Sequence, residues 1–216
     1  MIPAFQEQEK IEQVVAGARK YAREVIVIDD GSCDRTGEVA SRAGATVLRH
    51  PENRGKGEAL NTGFSYARAQ GHRIAVVMDA DGQHDPQEIP KLLKALERFK
   101  ADVVVGSRMR KPTGMPPVRV MTNSLMSVIL SILTKKRCSD TQSGFRAIDL
   151  KGLGALSLKA KRFDWDSEFF IRAVRAGMGI KEVGIQSIYR SDARSKIRAV
   201  PDTIRFIALV LRNVIF

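Results

Sequence analysis

Apolar and polar residues form two different patterns along the first half of the chain. Short, mostly apolar runs predict buried strands. These runs lie at 24–28, 46–48, 74–78 and 102–106, after a first strand that ends near Pro3. Apolar residues at helical spacing predict helices over 9–21, 36–43, about 57–69 and 86–100. Strands that alternate with helices indicate an α/β fold with a mostly parallel sheet and helices on both faces.

The second half of the chain contains two apolar helical stretches. Val118–Thr134 includes an uncharged run of 15 residues between Arg119 and Lys135. It is shorter than the ~20 apolar residues that a membrane-spanning helix needs. Pro201–Phe216 carries its apolar residues on one face and its arginines on another. Both stretches fit amphipathic helices in a membrane interface, and the alternative for each is a core-packing helix or a dimer seam.

Polar clusters follow three of the predicted strands. They are Gln6–Glu7, Asp29–Asp30 and Asp79–Ala80–Asp81. Each cluster taken alone also fits turn or helix-capping chemistry. Because the carboxyl ends of parallel strands meet at one edge of a sheet, the three together predict a ligand site at that edge.

The strongest chemical signal is the pair Asp79 and Asp81, which follows the apolar run 74–78. Hard carboxylate oxygens suit Mg²⁺ or Mn²⁺, and such ions usually take phosphate oxygens of the substrate as further ligands. The pair therefore predicts a divalent metal beside a phosphate-bearing substrate. A short D-x-D is a weak signal alone, and its position after a buried strand is what gives it weight.

Charge is distributed unevenly along the 216 residues, whose net charge is +12. Residues 1–100 contain 15 basic and 15 acidic residues, whereas residues 101–216 contain 21 basic and 9 acidic. A basic second half indicates an anionic partner, such as lipid headgroups, a phosphate-bearing substrate or nucleic acid. Nucleic acid is the least favoured of these, since aromatics make up only 6% of the chain and form no basic-aromatic platform.

Four motifs of the first half together resemble glycosyltransferase family 2. They are I-P-A-F-Q-E at 2–7, V-I-V-I-D-D-G-S at 25–32, N-R-G-K-G at 53–57 and V-V-M-D-A-D-G-Q-H at 76–84. Three later motifs resemble in particular the polyprenyl-phosphate (dolichol-phosphate) mannose and glucose synthases. They are G-S-R at 106–108, D-T-Q-S-G-F-R at 140–146 and S-K-I at 195–197. The resemblance implies a GT-A fold in a single catalytic domain, with a nucleotide-sugar half at 1–108 and an acceptor and membrane-facing half at 109–216.

The resemblance also implies roles for individual residues. Those expected at the donor are Pro3, Phe5, Glu7, Asp29, Asp30, Lys56, Asp79, Ala80, Asp81, Arg190 and Lys196. The expected metal ligands are Asp79, Asp81 and Gln83, and the expected catalytic residues are Asp79, Asp81 and Arg108. Those expected at the acceptor phosphate are Arg108, Arg119, Asn123, Ser143 and Arg146. Phe5–Gln6 stand where the family usually has Tyr-Asn, so a hydroxyl contact is lost there.

The function implied is inverting, metal-dependent transfer of mannose or glucose from GDP-mannose or UDP-glucose to a polyprenyl or dolichyl phosphate. The expected location is the cytoplasmic face of a membrane, peripherally or through residues outside this chain. The first alternative is transfer to a lipid or polysaccharide hydroxyl, which needs a carboxylate base such as Asp140, Asp166 or Glu168. The others are a nucleic-acid-binding module, with nucleic acid not expected as a partner, and a non-catalytic scaffold in a membrane complex.

Overall fold

The computed structural model describes residues 1–110, 112–154, 156, 158 and 164–189. Arg190, Lys196 and the predicted helix Pro201–Phe216 lie outside the described residues. Their expected roles therefore stay predictions.

Strands and helices alternate through the first half of the chain as the sequence predicts, whereas the helix Leu150–Leu153 and the strand Ile180–Gly184 of the second half were not predicted. The strands are β1 Ile2–Ala4, β2 Ile26–Asp29, β3 Thr46–Arg49, β4 Ile74–Val77, β5 Val103–Ser107, β6 Arg146–Asp149 and β7 Ile180–Gly184. The helices are α1 Ile11–Arg19, α2 Thr36–Arg42, α3 Lys56–Ala69, α4 Ile89–Arg98, α5 Pro117–Thr134, α6 Leu150–Leu153 and α7 Trp165–Arg175. A short 3₁₀ helix, Pro86–Glu88, precedes α4.

The strands form a mostly parallel sheet. β1, β2 and β3 pair in parallel, and β5 pairs in parallel with β7. The Met78 N–H donates to the Met1 carbonyl at 3.1 Å, and the Met1 nitrogen donates to the Val76 carbonyl at 2.7 Å. These bonds place β1 beside β4, so the strand order is β3-β2-β1-β4-β6-β5-β7.

Strand β6 departs from the prediction. The sequence indicated only a turn at 140–146, but Arg146 begins a strand that runs antiparallel to both β4 and β5. Its pairing with the strand that precedes Asp79 brings the 140–146 turn to the edge where the D-x-D pair lies.

Helices cover both faces of the sheet, and alternate residues of each strand contact the two layers. Ile28 packs in one cluster with α3 and α7, including Leu60 and Phe169. Its neighbour Val27 packs in the other cluster with α1 and α4, including Leu92. The predicted α/β architecture is therefore confirmed.

Helix α5 turns its apolar side outward. Its most exposed apolar residues are Val118, Met121, Leu125, Val128 and Ile132, with 54 to 71% of each accessible, and Leu133 is 41% accessible. The side that packs inward instead carries Asn123 and Ser127 along with Leu130. Among the described residues, α5 is the one helix whose length and composition would allow it to cross a membrane, although these two criteria alone do not make it a span.

Candidate active site

The ends of β1 and β2 are joined by hydrogen bonds, as expected for two clusters at one sheet edge. The Gln6 N–H donates to Ser32 Oγ at 3.0 Å, and the Glu7 N–H donates to Thr36 Oγ1 at 2.8 Å. The loop that contains Phe5 and Glu7 therefore lies against the residues that follow Asp29. The structure brings these predicted donor residues together, and their contacts with a nucleoside remain predictions.

Asp29 is fully buried, and within the described part of the chain one of its oxygens has no hydrogen-bond donor. Oδ1 accepts from the Ser32 N–H at 3.0 Å, while Oδ2 lies 3.5 Å from Arg49 Nε without a hydrogen bond. A buried carboxylate oxygen without a donor is costly, so such an atom calls for a functional explanation. The Arg49 guanidinium offsets part of this cost, and the nucleoside contact expected of Asp29 stays a prediction.

Asp30 has a different environment, because both of its oxygens already have protein donors. Oδ1 accepts from the Arg54 N–H at 3.0 Å and from His50 Nδ1 at 2.7 Å, and Oδ2 accepts from the Gly55 N–H at 2.7 Å. Gly55 has φ +94°, which only glycine adopts readily. Asp30 thus fixes the glycine-rich loop at the start of α3, and the nucleoside contact expected of it stays a prediction.

That loop delivers Lys56 to the centre of the site. Lys56 Nζ lies 2.8 Å from Asp79 Oδ1 and 3.1 Å from Asp166 Oδ2. Burial works to lower the pKa of Lys56, but the two carboxylates outweigh it and raise this pKa above its usual range. Burial likewise works to raise the pKa of Asp79, yet the Lys56 ammonium group holds it well below its usual range. The pair is therefore fully ionised at neutral pH.

His84 positions Asp79 and was missed by the sequence analysis, which gives it no role. Its ring is buried and stacks on Phe145 with centroids 4.9 Å apart. Nδ1 accepts the Asp79 N–H at 3.0 Å, so the proton of the neutral ring is on Nε2. Burial lowers the pKa of His84 and outweighs the opposing effects of Asp79 and Asp81, which keeps the ring neutral. The available signal was the position of this histidine, five residues after Asp79.

Asp81, an expected metal ligand, lies in the turn that follows β4. Its Oδ1 accepts the Gln83 N–H at 2.9 Å, and no donor to Oδ2 is found among the described residues. The adjacent Gly82 faces open space. The described part of the chain contains no group of three or more His, Cys, Asp or Glu that could hold an ion. Mg²⁺ commonly binds one or two carboxylates plus substrate phosphates, so this donor set fits such an ion.

Arg108, which follows β5, is held by the turn at 140–146. Its Nε and Nη2 donate to the carboxylate of Asp140, both at 2.8 Å, and its backbone N–H donates to the same carboxylate at 2.9 Å. Asp140 is fully buried. Burial works to lower the pKa of Arg108, but Asp140 outweighs it and raises this pKa. Nη1 takes no part in this pair, and the phosphate contact expected of Arg108 stays a prediction.

The other residues of the 140–146 turn are buried and engaged within the protein. Ser143 Oγ donates to the Gly106 carbonyl at 2.6 Å, and Arg146 Nη2 donates to the Thr141 carbonyl at 2.9 Å. A Cβ built on Gly144 would lie 2.8 Å from both Asp79 Oδ2 and Lys56 Nζ. The turn therefore packs directly against the D-x-D carboxylate, while the acceptor contacts expected of Ser143 and Arg146 stay predictions.

Helix α5 is anchored to the same turn. Ser127 Oγ lies 3.1 Å from Thr141 Oγ1 and accepts the Thr141 N–H at 3.0 Å. Asn123 is buried one turn before Ser127, and Arg119 is half-buried one turn earlier. The expected acceptor residues of α5 thus share the face that packs toward the site, whereas its apolar residues face outward.

Comparison with known proteins identifies the family. A family model described as glycosyl transferase family 2 matches residues 1–153, which is most of the chain. The chain belongs to glycosyl transferase family 2. The sequence-based prediction of a glycosyltransferase is thereby confirmed.

Two relatives of this glycosyltransferase act on lipid phosphates, according to their names. The UDP-N-acetylglucosamine–dolichyl-phosphate N-acetylglucosaminyltransferase of Methanococcus voltae is 33% identical over 212 residues, which cover 88% of this chain and 84% of the relative. The undecaprenyl-phosphate mannosyltransferase of Micrococcus luteus is 33% identical over 211 residues, which cover 91% of this chain and 86% of the relative.

A solved structure confirms the predicted GT-A fold. Glucosyl-3-phosphoglycerate synthase from Mycobacterium tuberculosis, in complex with Mn²⁺, UDP-glucose and phosphoglyceric acid, matches this glycosyltransferase with a TM-score of 0.75. The match covers 99% of this chain and 78% of the other, at 22% identity. At this level of identity the likeness shows the fold alone.

Proposed function

We propose that this glycosyltransferase transfers mannose or glucose from a nucleotide-sugar to a polyprenyl or dolichyl phosphate at a membrane surface. The observation that carries the proposal is the state of the three carboxylates expected as bases for a hydroxyl acceptor. Each is buried and paired with a cation. Asp140 binds Arg108, Asp166 contacts Lys56 and Arg146, and Glu168 Oε1 lies 2.8 Å from Arg172 Nε.

An acceptor that is already ionised suits such a site. A hydroxyl must lose a proton as it attacks, and a carboxylate held by an arginine or lysine is a poor base. A phosphate monoester is an anion near neutral pH and needs no base. Its negative charge requires cations instead, and the site supplies Arg108 and Arg119, with Arg190 and Lys196 expected to add to them.

For the donor, Asp79 and Asp81 would hold Mg²⁺ or Mn²⁺ with help from Gln83. The ion, when bound, would neutralise the negative charge that develops on the leaving diphosphate. Asp29 would receive a hydrogen bond from the nucleoside. A phosphate oxygen of the acceptor forms a bond to the anomeric carbon as the bond to the diphosphate breaks, and attack from the opposite face inverts the configuration.

The outward face of α5 supports a membrane location. Fully burying an apolar side chain of this size contributes about 1.5–3 kcal/mol, and α5 leaves six of them accessible. The same helix is followed by Lys135, Lys136 and Arg137, which suit anionic headgroups. We infer that α5 lies in the cytoplasmic interface, where its inner face reaches the acceptor phosphate.

The acceptor class can be tested directly. Purified protein with Mn²⁺ would be incubated with GDP-mannose, UDP-glucose or UDP-N-acetylglucosamine, and with a prenyl phosphate, the matching prenyl alcohol or a free sugar. We expect GDP-mannose or UDP-glucose to label the prenyl phosphate, and no donor to label the alcohol or the sugar. Labelling of a hydroxyl acceptor in preference to the phosphate would overturn the proposal.

A further inference from the structure

Lys56 is enclosed on three sides by charged or closely packed groups. Asp79 and Asp166 contact its ammonium group at 2.8 and 3.1 Å, and only 15% of its side chain is accessible. On the third side lies the backbone of Gly144, at which a Cβ would come within 2.8 Å of Nζ. The ammonium group is therefore directed at Asp79 and has little room to turn toward solvent.

Asp166 is itself held by Arg146, through the carboxylate oxygen that does not contact Lys56. Its Oδ1 lies 3.2 Å from Arg146 Nη2, and the Arg146 guanidinium lies 5.1 Å from the centroid of the Phe169 ring. Arg146 is almost fully buried, so this contact is shielded from water. Asp79, Lys56, Asp166 and Arg146 thus form a chain of alternating charge that sums to zero. Within this chain, Asp166 holds Lys56 in place.

A cation fixed on Asp79 has a consequence for metal binding. A divalent ion on Asp79 and Asp81 would lie close to the Lys56 ammonium, and like charges repel strongly where water is largely excluded. An arriving diphosphate brings negative oxygens that can contact both the ion and the ammonium group. The repulsion is therefore large for the metal alone and offset when the diphosphate binds with it.

We infer that Lys56, held by Asp166, is the resident cation of Asp79 and makes metal binding conditional on the diphosphate of the donor. Lys56 is then a specificity-determining residue, because it disfavours an ion that arrives without a nucleotide. This inference rests on the proposed role of Asp79 and Asp81 as metal ligands. The new element is that Lys56 competes with the metal for Asp79 and that Asp166 positions Lys56.

Two substitutions should separate the roles of Lys56 and Asp166 in the affinity for Mn²⁺ alone. Lys56→Met removes the competing cation and should tighten Mn²⁺ binding at least tenfold. Asp166→Asn removes the carboxylate that holds Lys56 but leaves the ammonium group in the site, so Mn²⁺ should bind more weakly than in Lys56→Met. A merely structural role for the two residues would instead weaken binding in both variants. Lys94→Met, at an exposed position on α4, is the matched control and should behave as the wild type.

The experiment is a titration of the full chain with Mn²⁺ and no nucleotide, followed by the electron paramagnetic resonance signal of unbound Mn²⁺. Circular dichroism would verify that each variant is folded, and Lys56→Gln would replace Lys56→Met if the latter fails to fold. A second titration would include GDP or UDP, which should raise the Mn²⁺ affinity more in the wild type than in Lys56→Met.

Two results would contradict the inference, and they have different meanings. If Mn²⁺ binds with the nucleoside diphosphate but Lys56→Met binds Mn²⁺ alone no more tightly than the wild type, only the inference about Lys56 is wrong. If no variant binds Mn²⁺ even with GDP or UDP, the metal role of Asp79 and Asp81 is wrong as well.

Discussion

Arg108 and Asp140 lie 32 residues apart in sequence and form a two-pronged ion pair, with both guanidinium contacts at 2.8 Å. The Arg108 amide donates a third hydrogen bond to the same carboxylate. Planar pairs of this kind fix the orientation of the guanidinium as well as its position. Asp140 is therefore a positioning residue for Arg108 and not a base, because its oxygens are occupied and shielded from solvent.

Asp140→Asn should destabilise the protein strongly. Breaking a buried ion pair by removing one partner typically costs about 3–5 kcal/mol, because the remaining charge stays buried without compensation. Urea unfolding would measure the loss. The control is Arg42→Gln, which breaks the exposed pair Glu38–Arg42 within α2, where we expect a change of about 0.3–0.5 kcal/mol. A loss of under 1 kcal/mol for Asp140→Asn would contradict the structural importance of the pair.

Gly144→Ala should impair transfer more than it impairs folding. The new methyl group would overlap Asp79 Oδ2 and Lys56 Nζ, so both side chains must move. Displacement of catalytic groups by about 1 Å can cost on the order of 100-fold in rate. Steady-state transfer rates and the thermal midpoint would be measured together. The control is Gly152→Ala in α6, where the methyl group would lie 3.3 Å from the flexible end of Met178 and 3.9 Å from Asp102 Oδ1. Equal transfer rates for the two variants would show that the close packing of Gly144 against Asp79 and Lys56 is not needed for transfer.

The position of the donor edge follows from the sequence because local patterns encode it. Apolar runs that end in carboxylates mark the carboxyl ends of parallel strands, which placed Asp29 and Asp79 at one edge. The bounds of α5 were also predicted to within one residue, since its apolar spacing is regular. These local patterns do not predict which partners the polar residues contact at that edge.

The partners of the charged residues depend on long-range packing. Lys56 and Asp166 are 110 residues apart, and no local pattern connects them. Strand β6 was missed because its four residues carry only two apolar side chains next to a turn motif, and its antiparallel direction is set by pairing with β4 and β5. Without β6, the packing of Gly144 against Asp79 could not be foreseen.

Charged substitutions on the outer face of α5 should weaken membrane binding without unfolding the protein. Leu125 and Ile132 are 60% and 71% accessible, so glutamate fits at both positions. If this face is buried in lipid, Leu125→Glu with Ile132→Glu should lower partitioning to anionic vesicles tenfold or more, because apolar burial and attraction to the headgroups are both reduced. Vesicle sedimentation at stated salt would measure it.

The control for α5 is the double variant Lys94→Glu with Glu97→Lys, on the exposed surface of α4. It keeps the net charge and leaves α5 intact, so it should bind vesicles as the wild type does. Unchanged partitioning of the α5 variant would show that this face does not contact lipid.

Glu24 should make stability depend on pH at the sheet edge opposite the site. Its carboxylate accepts from Thr46 Oγ1 at 2.7 Å, contacts His72 Nε2 at 2.6 Å and accepts from the Tyr66 hydroxyl at 3.1 Å. The hydrogen bond from Thr46, and then those from His72 and Tyr66, lower the pKa of Glu24 against the opposing effect of burial. A lowered pKa in the folded state means that the stabilisation is present above the usual pKa of glutamate, about 4.3, and is lost as the pH falls through the folded-state pKa.

Glu24→Gln should therefore be less stable than the wild type at pH 7, by about 1–2 kcal/mol for charge-assisted hydrogen bonds that are partly accessible to water. The difference in the free energy of unfolding should shrink as the pH falls from about 4.3 through the folded-state pKa, since the wild-type carboxylate then becomes protonated and loses its charge. Urea unfolding at several pH values would measure both. Glu97→Gln, on the exposed surface of α4, should show no such trend. A difference in stability that stays constant from neutral to acid pH would mean that the charge of Glu24 contributes nothing. If the charge does contribute, the difference must shrink in acid, because Glu24 of the wild type then becomes neutral like the glutamine of the variant.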